Sequence, residues 1–226
     1  MTWETLLIYA IEILCFIPAL VLHEVAHGYV AYKLGDPTAK SSGRLSLNPI
    51  KHIDIFGTVI LPLGLMLMGG PIFGYAKPVP YNPVYFKNIR RDDFLVGIAG
   101  PLTNLALALF AALLQWLIYR LFFDAVISSV FMQYVFFIVL PYFAIINLFL
   151  MFFNLLPIPP LDGSSIFALL LPIKYLPQYY RVQQYALPIF LVLMLVVPYV
   201  FSFSPIGWYL DATAGQISQW IMVFSL

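Results

Sequence analysis

Four long apolar runs divide the chain: Leu6 to about Leu34, Phe94 to Phe123, Val130 to Phe153 and Val182 to Phe203. Each is near or beyond the ~20 residues a helix needs to cross a bilayer, so the pattern predicts membrane helices rather than amphipathic helices around a soluble core. The first run would reach ~44 Å at ~1.5 Å per residue, against a hydrocarbon core of ~30 Å, so its polar C-terminal third is expected to emerge at the interface. It lacks a basic leading region and a small-residue cleavage site and is read as retained. Pro141, Pro188 and Pro198 fall inside the later two runs and predict kinks there. The tail from Ile206 to Leu226 carries Gly207, Asp211, Gly215 and Gln219 among apolar residues, the pattern of either an interfacial helix or a weak last span.

Between the first two clear runs, Ile55 to Ile72 is apolar enough to suggest another crossing, and charge argues otherwise. Lys33, Lys40, Arg44 and Lys51 precede it, while Lys77, Lys87, Arg90 and Arg91 follow it. A crossing would put four basic residues on each face, against the positive-inside tendency. If the piece dips in and returns, all eight lie on one side, later alternation adds Lys174 and Arg181, and only Arg120 is left opposite. Gly57, Pro62, Gly64, Gly69, Gly70, Pro71 and Gly74 suit a re-entrant segment sheltered by protein. The expected fold is therefore an all-α polytopic membrane protein. It has about four to six membrane helices and a re-entrant or hairpin segment between the first two clear spans.

Composition agrees. Of 226 residues, 62% are hydrophobic and 9% charged, where soluble domains carry roughly 25% charged residues. The mean hydropathy is +0.94. Eleven basic residues against ten acidic ones leave a net charge of +1, which offers nothing to neutralise a nucleic-acid backbone. The single cysteine, Cys15, rules out an internal disulfide and a cysteine-rich metal cluster. No internal repeat is present.

The chemistry gathers in His23-Glu24-Val25-Ala26-His27, near the end of the first run. Positions i and i+4 of a helix share a face, so two imidazoles can hold one metal ion while the adjacent glutamate handles the proton of an attacking water. With three His and three Glu in the chain, the motif would arise by chance on the order of once in two thousand. Each ionisable group inside a span costs at least ~2.5 kcal/mol, and a divalent cation between the imidazoles would offset that cost.

A catalytic zinc takes three protein ligands and keeps one open position. Asp162 is the leading third ligand, because Asn154 to Gly163 follows a span travelling towards the same face, and its prolines stop the helix and let a short carboxylate turn inward. Gly163 permits a close approach. His52 and Asp54 are the alternatives, at the edge of the re-entrant piece. Glu12 shares the face of His23 but lies ~16 Å away along the axis, too far for a ligand. Asn104 is read equally as a substrate contact or as a polar cross-link beside Gly100. Asn154 is a cap or brace for the break before Asp162, or a second substrate contact, and Asn147 an interhelical group.

These blocks resemble the site-2 proteases, the intramembrane zinc metalloproteases. The resemblance rests on the His23 to His27 motif, on Gly100-Pro101-Leu102-Thr103-Asn104, and on Asn154 to Gly163 with its Leu-Asp-Gly. Two further pieces, Gly43 to Pro49 and Gly74 to Pro80, resemble a compact branch of that family, so the likeness covers roughly residues 20 to 170. It implies one Zn2+ per chain on His23, His27 and Asp162, with Glu24 as general base. Asn104 and Asn154 would contact the substrate, a transmembrane segment of another protein. The expected organisation is a single membrane-embedded protease domain over residues 1–226. Its catalytic core covers about 5–171 and a C-terminal span and tail 182–226, with no PDZ or CBS domain and no span before the motif helix. Its surroundings would be a lipid bilayer, expected to be the cell membrane, with the active site towards the cytoplasm. The alternatives are a membrane zinc hydrolase of a non-peptide substrate, a non-catalytic membrane binding module, and a transporter.

Overall fold

The structure is a computed structural model that describes residues 3–60 and 76–224. Among the described residues every regular element is helical. Three helices are long and apolar enough to cross a membrane: α1 (Trp3–Lys33), α2 (Ile89–Ser128) and α3 (Val130–Asn154). Shorter helices follow: α4 (Gly163–Leu170), α5 (Leu176–Gln183), α6 (186–201) and α7 (205–224). The chain is an all-α polytopic membrane protein.

Polar side chains mark where α2 and α3 begin. The Asn88 carboxamide accepts from the Arg91 backbone N–H at 3.1 Å, while Asp92 in the first turn accepts from the Asn88 N–H, so two orphan donors are satisfied reciprocally. At its far end α2 kinks at Phe122, next to the expected boundary at Phe123. Ser129 caps the start of α3. Ala108 of α2 packs with Leu148 and Met151 of α3 and with Ala214 of α7. Small side chains are what allow helices to approach closely when lipid is as apolar as the core.

The prolines act through widened turns. Residues Val135–Val139 and Val192–Val196 are π-helical, and each stretch ends just before a proline, Pro141 and Pro198. A proline removes one helical hydrogen bond and crowds the carbonyl four residues back, and a π turn relieves both. Gln115 of α2 reaches the Phe136 carbonyl in the first of these turns at 3.1 Å. Pro188 differs from expectation. The helix starts at Ala186, so this proline sits in a first turn, where a missing N–H costs little.

The expected span from Val182 to Phe203 is shorter in the structure. Residues 186–201 make only ~24 Å of helix. The chain then turns through Ser202, whose φ is 50°, and enters α7 at 103° to α6. The two together form a bent pair, a fourth candidate crossing.

The excursion between α1 and α2 begins and ends in one place. Lys77 donates its backbone N–H to the His52 carbonyl at 2.9 Å, and Leu34 and Phe86 meet around Ala31 and Val96. A membrane crossing would separate residues 52 and 77 by the thickness of the bilayer. Most of the piece expected to re-enter, Ile55 to Ile72, lies outside the described residues. Its opening turns, Ile55–Ile60, are π-helical. Since α1 ends and α2 begins at this end of the bundle, His23 and His27 face α2 between Val96 and Asn104.

Candidate metal centre

One helical turn separates His23 and His27, and α1 buries both against α2. Their rings stand at 82°, with centroids 4.7 Å apart and Nε2 atoms 3.0 Å apart. The break after α3 carries Asp162 to the same point, its Oδ2 lying 3.1 Å from the Nε2 of His23 and 3.3 Å from that of His27. Among the described residues these three form the one group of acidic, histidine or cysteine side chains arranged to hold a metal ion. His52, Asp54 and Glu12 stand outside it. The Nε2 of His52 bonds the Ser46 carbonyl, and Asp54 accepts from the Gly57 N–H.

The far side of each ring decides what the near side can offer. The Nδ1 of His27 lies 2.7 Å from the Val96 carbonyl, and that of His23 lies 2.5 Å from the Asn104 side-chain oxygen. Both partners are acceptors, so both Nδ1 atoms carry hydrogen and both neutral rings turn an Nε2 lone pair towards Asp162. The Asp162 Oδ2 is itself buried without a hydrogen-bond donor. Three electron-rich atoms therefore converge, and only a cation or an added proton relieves them. Ligands bound to zinc at ~2.0–2.1 Å with tetrahedral angles stand ~3.3 Å apart, and the three separations here match that spacing. The donor set fits zinc.

Glycines make the room. A Cβ on Gly100 would touch the Nε2 atoms of both imidazoles, 2.6 Å from that of His23. One turn earlier, a Cβ on Gly97 would press on Ser165 and lie 3.3 Å from the Asp162 carbonyl. Gly163 was expected to admit the ion closely. Its bare Cα instead admits the backbone of Leu155 and Leu156, which a side chain would overlap, and so lets the Pro-rich segment fold back under Asp162. The helix after Asp162 is held at both ends. The Tyr179 hydroxyl donates to the Ser164 carbonyl at 3.0 Å, and the Arg90 guanidinium donates to the carbonyls of Ala168, Leu169 and Leu171.

Glu24, on the turn between the two histidines, accepts from the Val79 backbone N–H at 2.9 Å through Oε2. That N–H belongs to an extended strap, 76–82, fastened all along its length. The Arg44 guanidinium donates to the carbonyls of Lys77 and Pro78, and the buried Asp36 accepts from the Asn82 N–H. The Tyr81 hydroxyl donates to Asp93 at 2.8 Å. Burial, then the Asp93 carboxylate, pushes the Tyr81 phenol up, so it stays a donor at working pH. No sequence signal pointed to Val79 or Arg44, because a backbone donor leaves no mark in side-chain chemistry.

The two asparagines differ. Asn104 is fully buried, and its amide is engaged by His23, Asn147 and the Ala19 carbonyl. Asn154 donates to the Leu150 carbonyl one turn back within its own helix.

A family model described as peptidase family M50 matches residues 11–197. The chain is 42% identical over 186 residues to YwhC of Bacillus subtilis (strain 168), provisionally named a zinc metalloprotease, covering 80% of this chain and 78% of that one. It is 26% identical over 222 residues to Rip2 of Mycolicibacterium smegmatis, named in the same provisional terms, covering 94% and 81%. The zinc metalloprotease MJ0392 of Methanocaldococcus jannaschii is 26% identical over 167 residues, 74% of this chain and 36% of that one. No solved structure matches.

Proposed function

Because the chain belongs to peptidase family M50, the site-2 proteases, we propose that it is a zinc endopeptidase that cuts transmembrane segments of other proteins within the bilayer. One observation carries this reading: two imidazole lone pairs and an unpartnered carboxylate oxygen lie within 3.3 Å of one another, beside a glutamate, on a helix built to span a membrane. In this reading His23, His27 and Asp162 hold the ion. When bound, zinc lowers the pKa of water to about 7 and polarises the scissile carbonyl.

Glu24 is the general base. With Oε2 held by the Val79 N–H, its other oxygen takes the proton from the attacking water and later returns it to the leaving amine. The strap at 76–82 fixes that carboxylate through the Val79 N–H. A peptide inside an intact helix has its carbonyls bonded internally, so the substrate must unwind locally before one becomes available. Asn154, half-buried in the last turn of α3, can offer its side-chain oxygen to a peptide N–H so exposed, and the strap can present backbone edges to the extended chain. The protein is an integral membrane protein, which we place in the cell membrane with this site towards the cytoplasm, where ten of its eleven basic residues would lie.

The test uses the purified full chain, Glu24→Gln and Asp162→Ala in detergent or liposomes, with zinc content and cleavage of a transmembrane peptide measured together. Glu24→Gln should hold full zinc and lose at least 10²-fold in cleavage, the usual contribution of a general base. Asp162→Ala should lose zinc. Zinc-loaded wild type that hydrolyses a lipid ester but no peptide would move the protein to another class of membrane hydrolase.

A further inference from the structure

The Asn104 and Asn147 side chains form a chain of directed hydrogen bonds that ends on the back of His23. Asn147 on α3 donates through Nδ2 to the Phe143 carbonyl at 2.8 Å. Asn104 on α2 donates through Nδ2 to the Asn147 oxygen at 2.9 Å and faces the Ala19 carbonyl of α1 at 3.4 Å. The Asn104 oxygen meets the His23 Nδ1. Both amides are fully buried, and each finds its partners within the protein.

The direction of this chain is set at its far end, and the longer contact of the Asn104 NH2 with the Ala19 carbonyl favours the same orientation. A backbone carbonyl only accepts, so the Asn147 group facing Phe143 must be the NH2, and its oxygen must face Asn104. The Asn104 NH2 then has to answer that oxygen, which leaves the Asn104 oxygen for His23. A ring whose Nδ1 faces an acceptor keeps its hydrogen there and frees Nε2 as a lone pair. With Asn104 reversed, its NH2 would face Nδ1, the hydrogen would move to Nε2, and that nitrogen could no longer bind a cation. His27 needs no such relay, because the Val96 carbonyl fixes it directly.

We propose that Asn104 and Asn147 are positioning residues that lock His23 in its metal-binding tautomer, so that α3 sets the affinity of the site without touching ion or substrate. This rests on the reading of His23 as a zinc ligand. It gives Asn104 a role other than substrate contact, and the two roles differ in what they move. A substrate contact changes KM with zinc retained. A tautomer lock changes zinc affinity and leaves the KM of zinc-loaded protein alone.

Asn147→Ser is the informative variant. Its hydroxyl can still bond the Phe143 carbonyl one turn back but is too short to reach Asn104. Asn147→Asp is the rescue, since a buried neutral carboxyl has one O–H for Phe143 and one carbonyl for Asn104. Zinc affinity is measured by competition with a chelator on the full chain, and KM on protein held in excess zinc. Outer partners of metal-bound histidine are typically worth 10–100-fold in affinity. The expected result is about a tenfold loss for Asn147→Ser, a loss nearer 100-fold for Asn104→Leu, near wild-type affinity for Asn147→Asp, and unchanged KM in each. Wild-type affinity in Asn147→Ser, or equal losses in Asn147→Ser and Asn147→Asp, would overturn the relay. Wild type without measurable zinc affinity would instead overturn the metal reading on which it stands.

Discussion

The imidazole arm and the carboxylate arm of the proposed metal centre are built on opposite principles. His23 and His27 sit on one unbroken helix, packed on the glycine face of α2, and each ring is gripped from behind by an acceptor. Asp162 sits where a helix has been stopped, and its inward oxygen has no donor of its own. Position comes to it from the backbone: the fold-back at Gly163 and the fastening of α4 at its two ends. A rigid pair of nitrogens and a carboxylate on a tethered loop can meet at one point while leaving one of the two able to shift. On the proposed zinc reading, the fixed arm would set where an ion is held, and the carboxylate arm would be the one free to adjust to it.

The strongest way to break this comparison is to crowd the rigid arm. Gly100→Ala adds one methyl against two Nε2 atoms that cannot retreat, because both rings are bonded behind. Complete loss of stoichiometric zinc and of cleavage is expected, with the helices still formed by circular dichroism. Gly163→Ala crowds the other arm against backbone instead of ring atoms, the added Cβ overlapping the Leu155 and Leu156 carbonyls. Overpacking costs ~1–3 kcal/mol, and here it is relieved only by moving the backbone before Asp162 and the carboxylate with it. A partial loss of zinc affinity, about 10–100-fold at the ~1.4 kcal/mol that corresponds to tenfold, is expected from chelator competition. Wild-type zinc affinity in Gly163→Ala would mean that the fold-back at this glycine does not position the carboxylate.

A third variant sharpens the link to Glu24. Arg44→Ala removes the guanidinium that holds the Lys77 and Pro78 carbonyls, freeing the strap whose Val79 N–H orients the base. Zinc should be retained, since the strap is bonded to Glu24, Asp36, Arg44 and Asp93, none of them a proposed ligand. Cleavage should fall by about tenfold through kcat, from a base still present but less well aimed. A loss of zinc here would show that the strap supports the ligands themselves.

How legible each arm was follows from the same contrast. The His-Glu-x-x-His spacing writes its geometry directly into the sequence, because a helix fixes where positions i and i+4 point. Asp162 could be singled out because prolines at 157, 159 and 160 announce a break, and an acid beside a glycine is one of few groups able to turn inward there. The contacts of Asn104 with His23 and of Gly100 with both rings depend on how α1 crosses α2, and no periodicity along one helix encodes the register between two. The split of the last apolar run had a similar cause. Hydropathy is continuous from Val182 to Phe203, while the breaks at Tyr185 and Ser202 are set by backbone geometry that apolar side chains do not reveal.

The smallest expected effect probes the carboxylate arm from its far end. Arg90 on α2 donates to three carbonyls at the C-terminus of α4, where unpaired carbonyls and the negative end of the helix dipole both favour a cation. Charge-assisted bonds of this kind contribute ~1.5–3 kcal/mol net, so Arg90→Ala should lower the thermal midpoint by several degrees. Asp162, however, lies at the other end of α4, next to Gly163 and two residues before Ser164, where Tyr179 still holds the chain. Zinc affinity should therefore fall by only a few fold while the midpoint drops clearly. Adding Tyr179→Phe releases the near end as well, and the double variant should lose far more zinc than the two single losses combined. Simple additivity of the two losses would mean that the fold-back at Gly163 alone positions the carboxylate, and that the tethers on α4 serve stability without reaching the metal centre.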